Sequence, residues 1–208
     1  MTQAPSKQKL LTIQEFLEQK PDGNRYELHN GIIIEMAQPS GKHENVTGFL
    51  GLQIGIEFTR LNLPYNIPKT ALVGFSDGES NFTYCPDVLV INRNNLKNEE
   101  LWEKCSTVQQ PESVPLLIEV VSQNWRDDYY KKFADYERMG IPEYWIVDYA
   151  GLGGRDFIGN PKQPAIFVCE LVDGEYVKTL FRGNKQIISA CFPELNLTAE
   201  QIFNSALN

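Results

Sequence analysis

Two carboxylates stand in apolar runs that leave little room for charge. Glu119 lies within "PLLIEVV", where every other residue from Leu116 to Val121 is apolar, and Asp87 follows Pro86 at the head of "DVLVI". Runs of this kind read as interior strands of a covered sheet, where an unpaired charge costs on the order of several kcal/mol. Each group therefore needs a proton, a cation or a chemical task. On neighbouring strands the pair would share a hard divalent cation such as Mg²⁺, which prefers oxygen ligands and keeps several waters. Phosphodiester hydrolysis is the chemistry such a site serves. It also benefits from a cationic side chain beside the metal, because negative charge grows on the phosphoryl oxygens in the transition state.

The segment after Glu119 supplies that cation. Drawn as a helix at about 100° per residue, residues from Asp127 to Met139 place Tyr129, Phe133 and Tyr136 on one face, continued by Gly140, with Lys132 at its edge. Lys131, Asp135 and Arg138 fall on the opposite side, where solvation is expected. Plainer readings stand beside the catalytic one. Asp87 satisfies strand-end amides in the first of them, and Glu119 forms a metal-free buried salt bridge with Lys132 in the second.

The elements that must position these residues are legible from periodicity. Thr12 with Glu15 three residues on is a capping box for a short helix, and Asn30-Gly31 in "YELHNGIIIEM" is the turn of a tight hairpin. From His43 to about Leu61 the residues Val46, Phe49, Leu50, Ile54 and Phe58 recur at helical steps, and Pro64 closes the helix. Strands are expected at "NIPKTALVGF", "YCPDVLVI", "PLLIEVV" and "EYWIVD", and a loop with a short helix between about Asn92 and Ser113. A C-terminal hairpin turns at Asp173-Gly174 in "AIFVCELVDGEYVKTLF", and a last helix spans about Thr198 to Ser205. The class is mixed α/β. Tyr144 and Trp145 read as core rather than as a base-stacking platform. Glu143 and Asp148 read as strand-end caps or partners of cations, Ser122 as a backbone-bonding residue, and Trp125 as part of the site's mouth.

Composition bounds the rest. With 208 residues, 42% hydrophobic and 22% charged, the chain suits one domain, residues 1–208, with a core over about 26–150 and a C-terminal hairpin and helix over about 165–208. No apolar run approaches the length of a membrane span or a signal peptide, so a cytoplasmic location is expected. Cys85, Cys105, Cys169 and Cys191 have no zinc or disulfide spacing and are expected to be reduced thiols, mostly buried. A net charge of -8 argues against broad electrostatic capture of nucleic acid. A local groove would draw on Lys42, Lys69, Arg126, Lys131 and Lys132.

The segments "YELHNGIIIEM...H", "CPDVLVI", "LLIEVVS" and "YYKKFADYERMGIPEYWIVD" together resemble the Uma-type restriction endonuclease family, part of the PD-(D/E)XK nuclease superfamily. The resemblance implies a restriction-endonuclease-like core, a mixed β-sheet flanked by helices, here with N-terminal and C-terminal hairpins. It implies a Mg²⁺-dependent DNA endonuclease, with Mn²⁺ as the alternative ion and DNA as substrate, and a homodimer is consistent with cutting two strands. By the same resemblance Asp87 and Glu119 bind metal, and the backbone carbonyl of Val120 is a further ligand. Val121 stands where the superfamily carries its lysine, and the family's displaced lysine and the tyrosine four residues on correspond to Lys132 and Tyr136. Tyr136 would orient Lys132 or touch the scissile phosphate. Glu27 matches a polar family position, as the holder of a second metal, a polariser of water or a partner of a basic neighbour. His43 matches another, and reads as a cap or hydrogen-bonding residue. Two readings of other kinds remain: an inactive nuclease-fold module that binds nucleic acid or a protein, and a metal-dependent hydrolase of another phosphoester.

Overall fold

The computed structural model describes residues 9–207, so residues 1–8 and 208 of the expected domain lie outside the described residues. Thr12 caps helix α1 (Ile13–Gln19) through the full capping box with Glu15. Strands β1 (Tyr26–His29) and β2 (Ile32–Glu35) meet at the Asn30-Gly31 turn, where both residues have positive φ, 49° and 78°. Gly31 is also fixed by space, since a Cβ there would lie 2.8 Å from the Leu10 Cβ. Helix α2 (Gly41–Arg60) starts at Ser40, whose hydroxyl accepts from the His43 N–H.

The chain then runs through β3 (Tyr65–Asn66), β4 (Leu72–Ser76), β5 (Asn81–Tyr84) and β6 (Val88–Asn92). Helix α3 (Trp102–Cys105), β7 (Thr107–Val108) and β8 (Leu116–Val120) follow. A π-helical turn (Asp127–Lys131) leads into α4 (Lys132–Met139), and then come β9 (Glu143–Asp148), α5 (Arg155–Ile158), β10 (Ala165–Val172), β11 (Glu175–Phe181) and α6 (Ala199–Asn204).

The strands form two mixed sheets. The larger has the order β11-β10-β9-β8-β6-β3, with β8 and β9 parallel and its other pairs antiparallel. The smaller has the order β2-β1-β5-β4-β7. Strand alternation divides the larger sheet's side chains between two cores. Val88, Val90, Leu116, Ile118, Trp145 and Val147 pack with Val46, Leu50 and Ile54 of α2 and with Ile202 of α6. Leu89, Leu117, Val121, Tyr144 and Ile146 pack on the other side with Tyr136 and Met139 of α4 and with Val73, Phe82 and Tyr84 of the smaller sheet. Glu119 shares the parity of Leu117 and Val121, so its carboxylate is directed at α4 and the second sheet.

The fold class is the expected one, with both hairpins in place and Tyr144 and Trp145 fully buried. Several details differ from expectation. "NIPKTALVGF" is two strands in two sheets, broken around Pro68, and β5 ("NFTY") completes a second sheet that periodicity did not separate from the first. Of the two roles expected for Glu143 and Asp148 the structure shows the backbone-accepting one, and among the described residues neither pairs with a cation. Glu143 accepts from the Trp145 indole and the Cys191 N–H, and Asp148 from the Leu152 and Gly153 N–H groups and the Tyr129 hydroxyl. Their buried places on β9 make them acceptors for backbone that must turn out of sight of water. All four cysteines are free thiols, of which Cys169 is fully buried. Among the described residues no helix is long and apolar enough to cross a membrane.

The division of α2 into a packed and an open face gives a stability test. Ile54 is fully buried, whereas Ile56 is 54% exposed. Ile54→Ala should cost about 2–5 kcal/mol in urea denaturation, and Ile56→Ala should stay within about 0.5 kcal/mol of the parent.

Candidate active site

Strand pairing brings the two predicted carboxylates together. Strands β6 and β8 pair antiparallel with Val88 opposite Ile118, so Asp87, one residue before β6, continues the register toward Glu119. Asp87 Oδ2 accepts from the Val120 N–H at 2.8 Å. The Val120 carbonyl in turn accepts from His43 Nε2 at 2.9 Å, and the same nitrogen lies 3.3 Å from Asp87 Oδ2. A carbonyl donates no proton, so Nε2 carries the hydrogen. Burial opposes charging the ring, but Asp87 and the Val120 carbonyl outweigh it and raise its pKa. His43 is therefore no helix cap. It reaches from the first turn of α2 to join Asp87 and Val120.

Lys132 comes to the same place from α4. Its Nζ lies 3.0 Å from Glu119 Oε1 and 3.3 Å from Glu27 Oε1, with all three side chains at least nine-tenths buried. Tyr136, one turn on and fully buried, donates to the same Glu119 Oε1 at 2.8 Å. Of the two expected roles for Tyr136 the hydrogen bond matches neither directly, since it falls on the carboxylate that Lys132 also holds. Glu27, on β1, accepts from the Cys85 N–H at 3.1 Å and lies 2.8 Å from His29 Nε2. These contacts make it a partner of basic groups.

The electrostatics separate the two glutamates. Burial pushes both carboxyls up. At Glu27, Lys132 and the bonds from His29 and Cys85 outweigh burial and hold the pKa at about 2. At Glu119, burial is reinforced by the Asp87 and Glu27 charges, and despite Lys132 its pKa is raised to about 7. Burial disfavours the Lys132 ammonium, yet Glu119, Glu27, Asp128 and Asp87 reverse that and hold its pKa well above the ordinary lysine value. The Lys132 side chain is thus charged, and the acids around it outnumber it, a crowding that Glu119 and Asp128 relieve by holding protons more tightly.

These groups line a cavity of about 450 Å³ whose wall also includes Arg25, Gln38, Ser40, Ser122, Gln123, Asn124, Asp128 and Tyr149. Arg25 and Asp128 escaped the sequence reading, although a signal for each was present. Arg25 shares strand parity with Glu27, and Asp128 precedes Lys132 by the same four residues that separate Lys132 from Tyr136. Among the expected cationic residues, only Lys132 lines this cavity. Trp125 is not at its mouth. It packs on Gly154, where a Cβ would lie 2.9 Å from its ring, and against Arg126 at 4.5 Å. Ser122 is exposed at the cavity wall. Asp135, expected in solvent, is buried under the second sheet, where it accepts from Tyr84, Ser80 and Lys131.

The donor set suits a hard divalent cation taken with much of its water. The bonds from Lys132 and Tyr136 both fall on Glu119 Oε1, and the contacts of Asp87 both fall on Oδ2. Each carboxylate thereby keeps a second oxygen free of these partners, and the surplus of acids favours a cation. Among the described residues no three His, Cys, Asp or Glu side chains form a ready-made metal cage. Mg²⁺ needs none, since one or two carboxylates usually hold it.

Comparison with known proteins agrees with this fold. Residues 13–200 match the Uma2 family, described as "Putative restriction endonuclease", and the chain belongs to that family. A crystal structure of a "putative nuclease belonging to DUF820" from Anabaena variabilis ATCC 29413 is similar, with a TM-score of 0.71 and 17% identity over 94% of this chain and 99% of the other. At that identity the likeness is one of fold. No curated protein matches the chain.

Two outcomes follow for stability. Lys132→Met strands two buried carboxylates and should cost about 3–5 kcal/mol, of which Glu119→Gln in the same chain should restore part, as read in a urea double-mutant cycle. The folded Glu119 carboxyl at about 7 lies above its ordinary 4.5, so the folded state holds a proton that the unfolded chain has released. Stability from this group therefore falls as pH rises from about 4.5 to 7. Glu119→Gln should flatten the stability profile in that window, and an unchanged slope would contradict the assignment.

Proposed function

We propose that this chain is a divalent-metal-dependent endonuclease that hydrolyses phosphodiester bonds in DNA. The observation that carries the reading is the reach of Lys132 from α4 to Glu119 at 3.0 Å, which supplies an ammonium beside the paired carboxylates although Val121 stands where the superfamily lysine would be. Asp87, Glu119 and the Val120 carbonyl would hold Mg²⁺ or Mn²⁺. Bound there, such an ion supplies Lewis-acid polarisation of the phosphate and lowers the pKa of water.

The chain's own residues do the rest. Lys132 has three ammonium protons and directs two toward Glu27 and Glu119, which leaves one for a phosphoryl oxygen. Fixed in this way it requires little reorganisation as charge develops in the transition state. Glu27 restrains the same ammonium together with Glu119. Tyr136 fixes Glu119 Oε1 and turns the second oxygen of that carboxylate toward the cavity. His43 holds Asp87 and Val120 in register across β6 and β8. Arg25 at the cavity wall is placed to meet a substrate phosphate, which localises positive charge on a chain whose net charge is -8. A homodimer would present such a site to each strand of a duplex.

Supercoiled plasmid, linear duplex and single-stranded DNA incubated with Mg²⁺ or Mn²⁺ test the reading. Glu119→Gln and Lys132→Met, confirmed to be folded, should each lower the cleavage rate by about 100-fold or more. Equal cleavage by the parent and Glu119→Gln would overturn the metal role, and metal-independent binding without cleavage would mark an inactive nuclease-fold module instead.

A further inference from the structure

The cavity holds a carboxylate with no assigned partner. Asp128 sits in the π-helical turn before α4, is 7% exposed and lines the cavity together with Asp87, Glu119 and Lys132. Its backbone carbonyl accepts from the Tyr144 hydroxyl at 3.0 Å, which fixes the turn. Among the described residues no hydrogen bond and no ion pair falls on its carboxylate oxygens. The neighbouring Lys132 Nζ pairs with Glu27 and Glu119, and among the described residues it forms no ion pair with Asp128.

A residue this deeply buried usually has a protein partner for its polar atoms. The carboxylate of Asp128 has none among the described residues, and its oxygens open onto the cavity rather than being sealed in the core. The backbone that carries it is unusual. π-Helical turns are rare and occur often at functional sites, and this one brings Asp128 and Lys132 to the same cavity. Of the other cavity groups, Arg25 donates to the Cys85 carbonyl and His43 to the Val120 carbonyl. Asp87, Glu119 and Glu27 are acids, and Gln123 and Asn124 are exposed at the wall.

We infer that Asp128 is the outer carboxylate of the cation site, accepting hydrogen bonds from the water shell of a hydrated divalent cation held by Asp87 and Glu119. The inference rests on the proposed metal-dependent reading and deepens it, by giving the site a third acid that acts through water. That placement agrees with the lack of a ready-made cage of direct ligands. It also fits an ion that sheds water reluctantly, for which the protein must supply acceptors at the second layer as well as the first. Asp128 is a positioning residue in this scheme, and its removal should weaken the ion without unfolding the protein.

Calorimetric titration with MnCl₂, alongside thermal melts without metal, separates the possibilities. Asp128→Asn should bind Mn²⁺ about 10–100-fold more weakly than the parent, and its metal-free melting temperature should match the parent's, because no hydrogen bond to the carboxylate is lost. A residue needed only for folding would lower that melting temperature, and Asp128→Ser serves as a second probe with a smaller side chain. Unchanged Mn²⁺ affinity in both variants, with Glu119→Gln abolishing binding, would overturn the role of Asp128 alone. No Mn²⁺ binding by the parent would instead overturn the metal reading on which it rests.

Discussion

The structure around the cavity depends on one buried cation. Lys132 lies between Glu27 and Glu119, and each of the three arrives on a different element: β1 of the smaller sheet, β8 of the larger and α4 between them. A lone charge of either sign would be costly in this interior. Together the three offset one another and fasten two sheets and a helix at a single point. The acidic groups outnumber the ammonium, and burial makes Glu119 and Asp128 hold protons that a cation would displace. That crowding links the architecture to its chemistry, since the interaction that joins the elements also prepares the cavity for a cation.

Much of this was legible before the coordinates. The apolar run of β8 gives Glu119 an interior address, and period-two alternation then directs its carboxylate to the face shared by Leu117 and Val121. The capping box at Thr12, the Asn30-Gly31 and Asp173-Gly174 turns, and the spacing of Val46, Leu50 and Ile54 on α2 all describe local or single-face constraints, and each appears where the pattern puts it. The choice of Lys132 over Lys131 also follows from helical spacing, because Lys132 sits one turn before Tyr136 and enters the core with it.

The misses have a common physical cause. A helical wheel assigns a solvent side when one face is covered, yet α4 is covered by the larger sheet and by β4 and β5 of the smaller. Asp135 is therefore buried against Tyr84 and Ser80. The smaller sheet was itself obscured, since Pro68 interrupts an apolar stretch that looked continuous and β5 is only four residues long. Asp128 was passed over because an acid in the first turn of a helix usually faces water and the N-terminal dipole. Here the π turn carries it inward.

Family membership and fold are shared with known proteins, and neither places an ion in the cavity. The most direct measurement is a crystal structure of the protein grown with Mn²⁺, with data collected for anomalous scattering from the metal. The account predicts one strong anomalous peak in contact with Asp87, Glu119 and the Val120 carbonyl oxygen, with the Lys132 ammonium beside it. A cavity with no anomalous peak, or a Lys132 turned out to solvent, would contradict it.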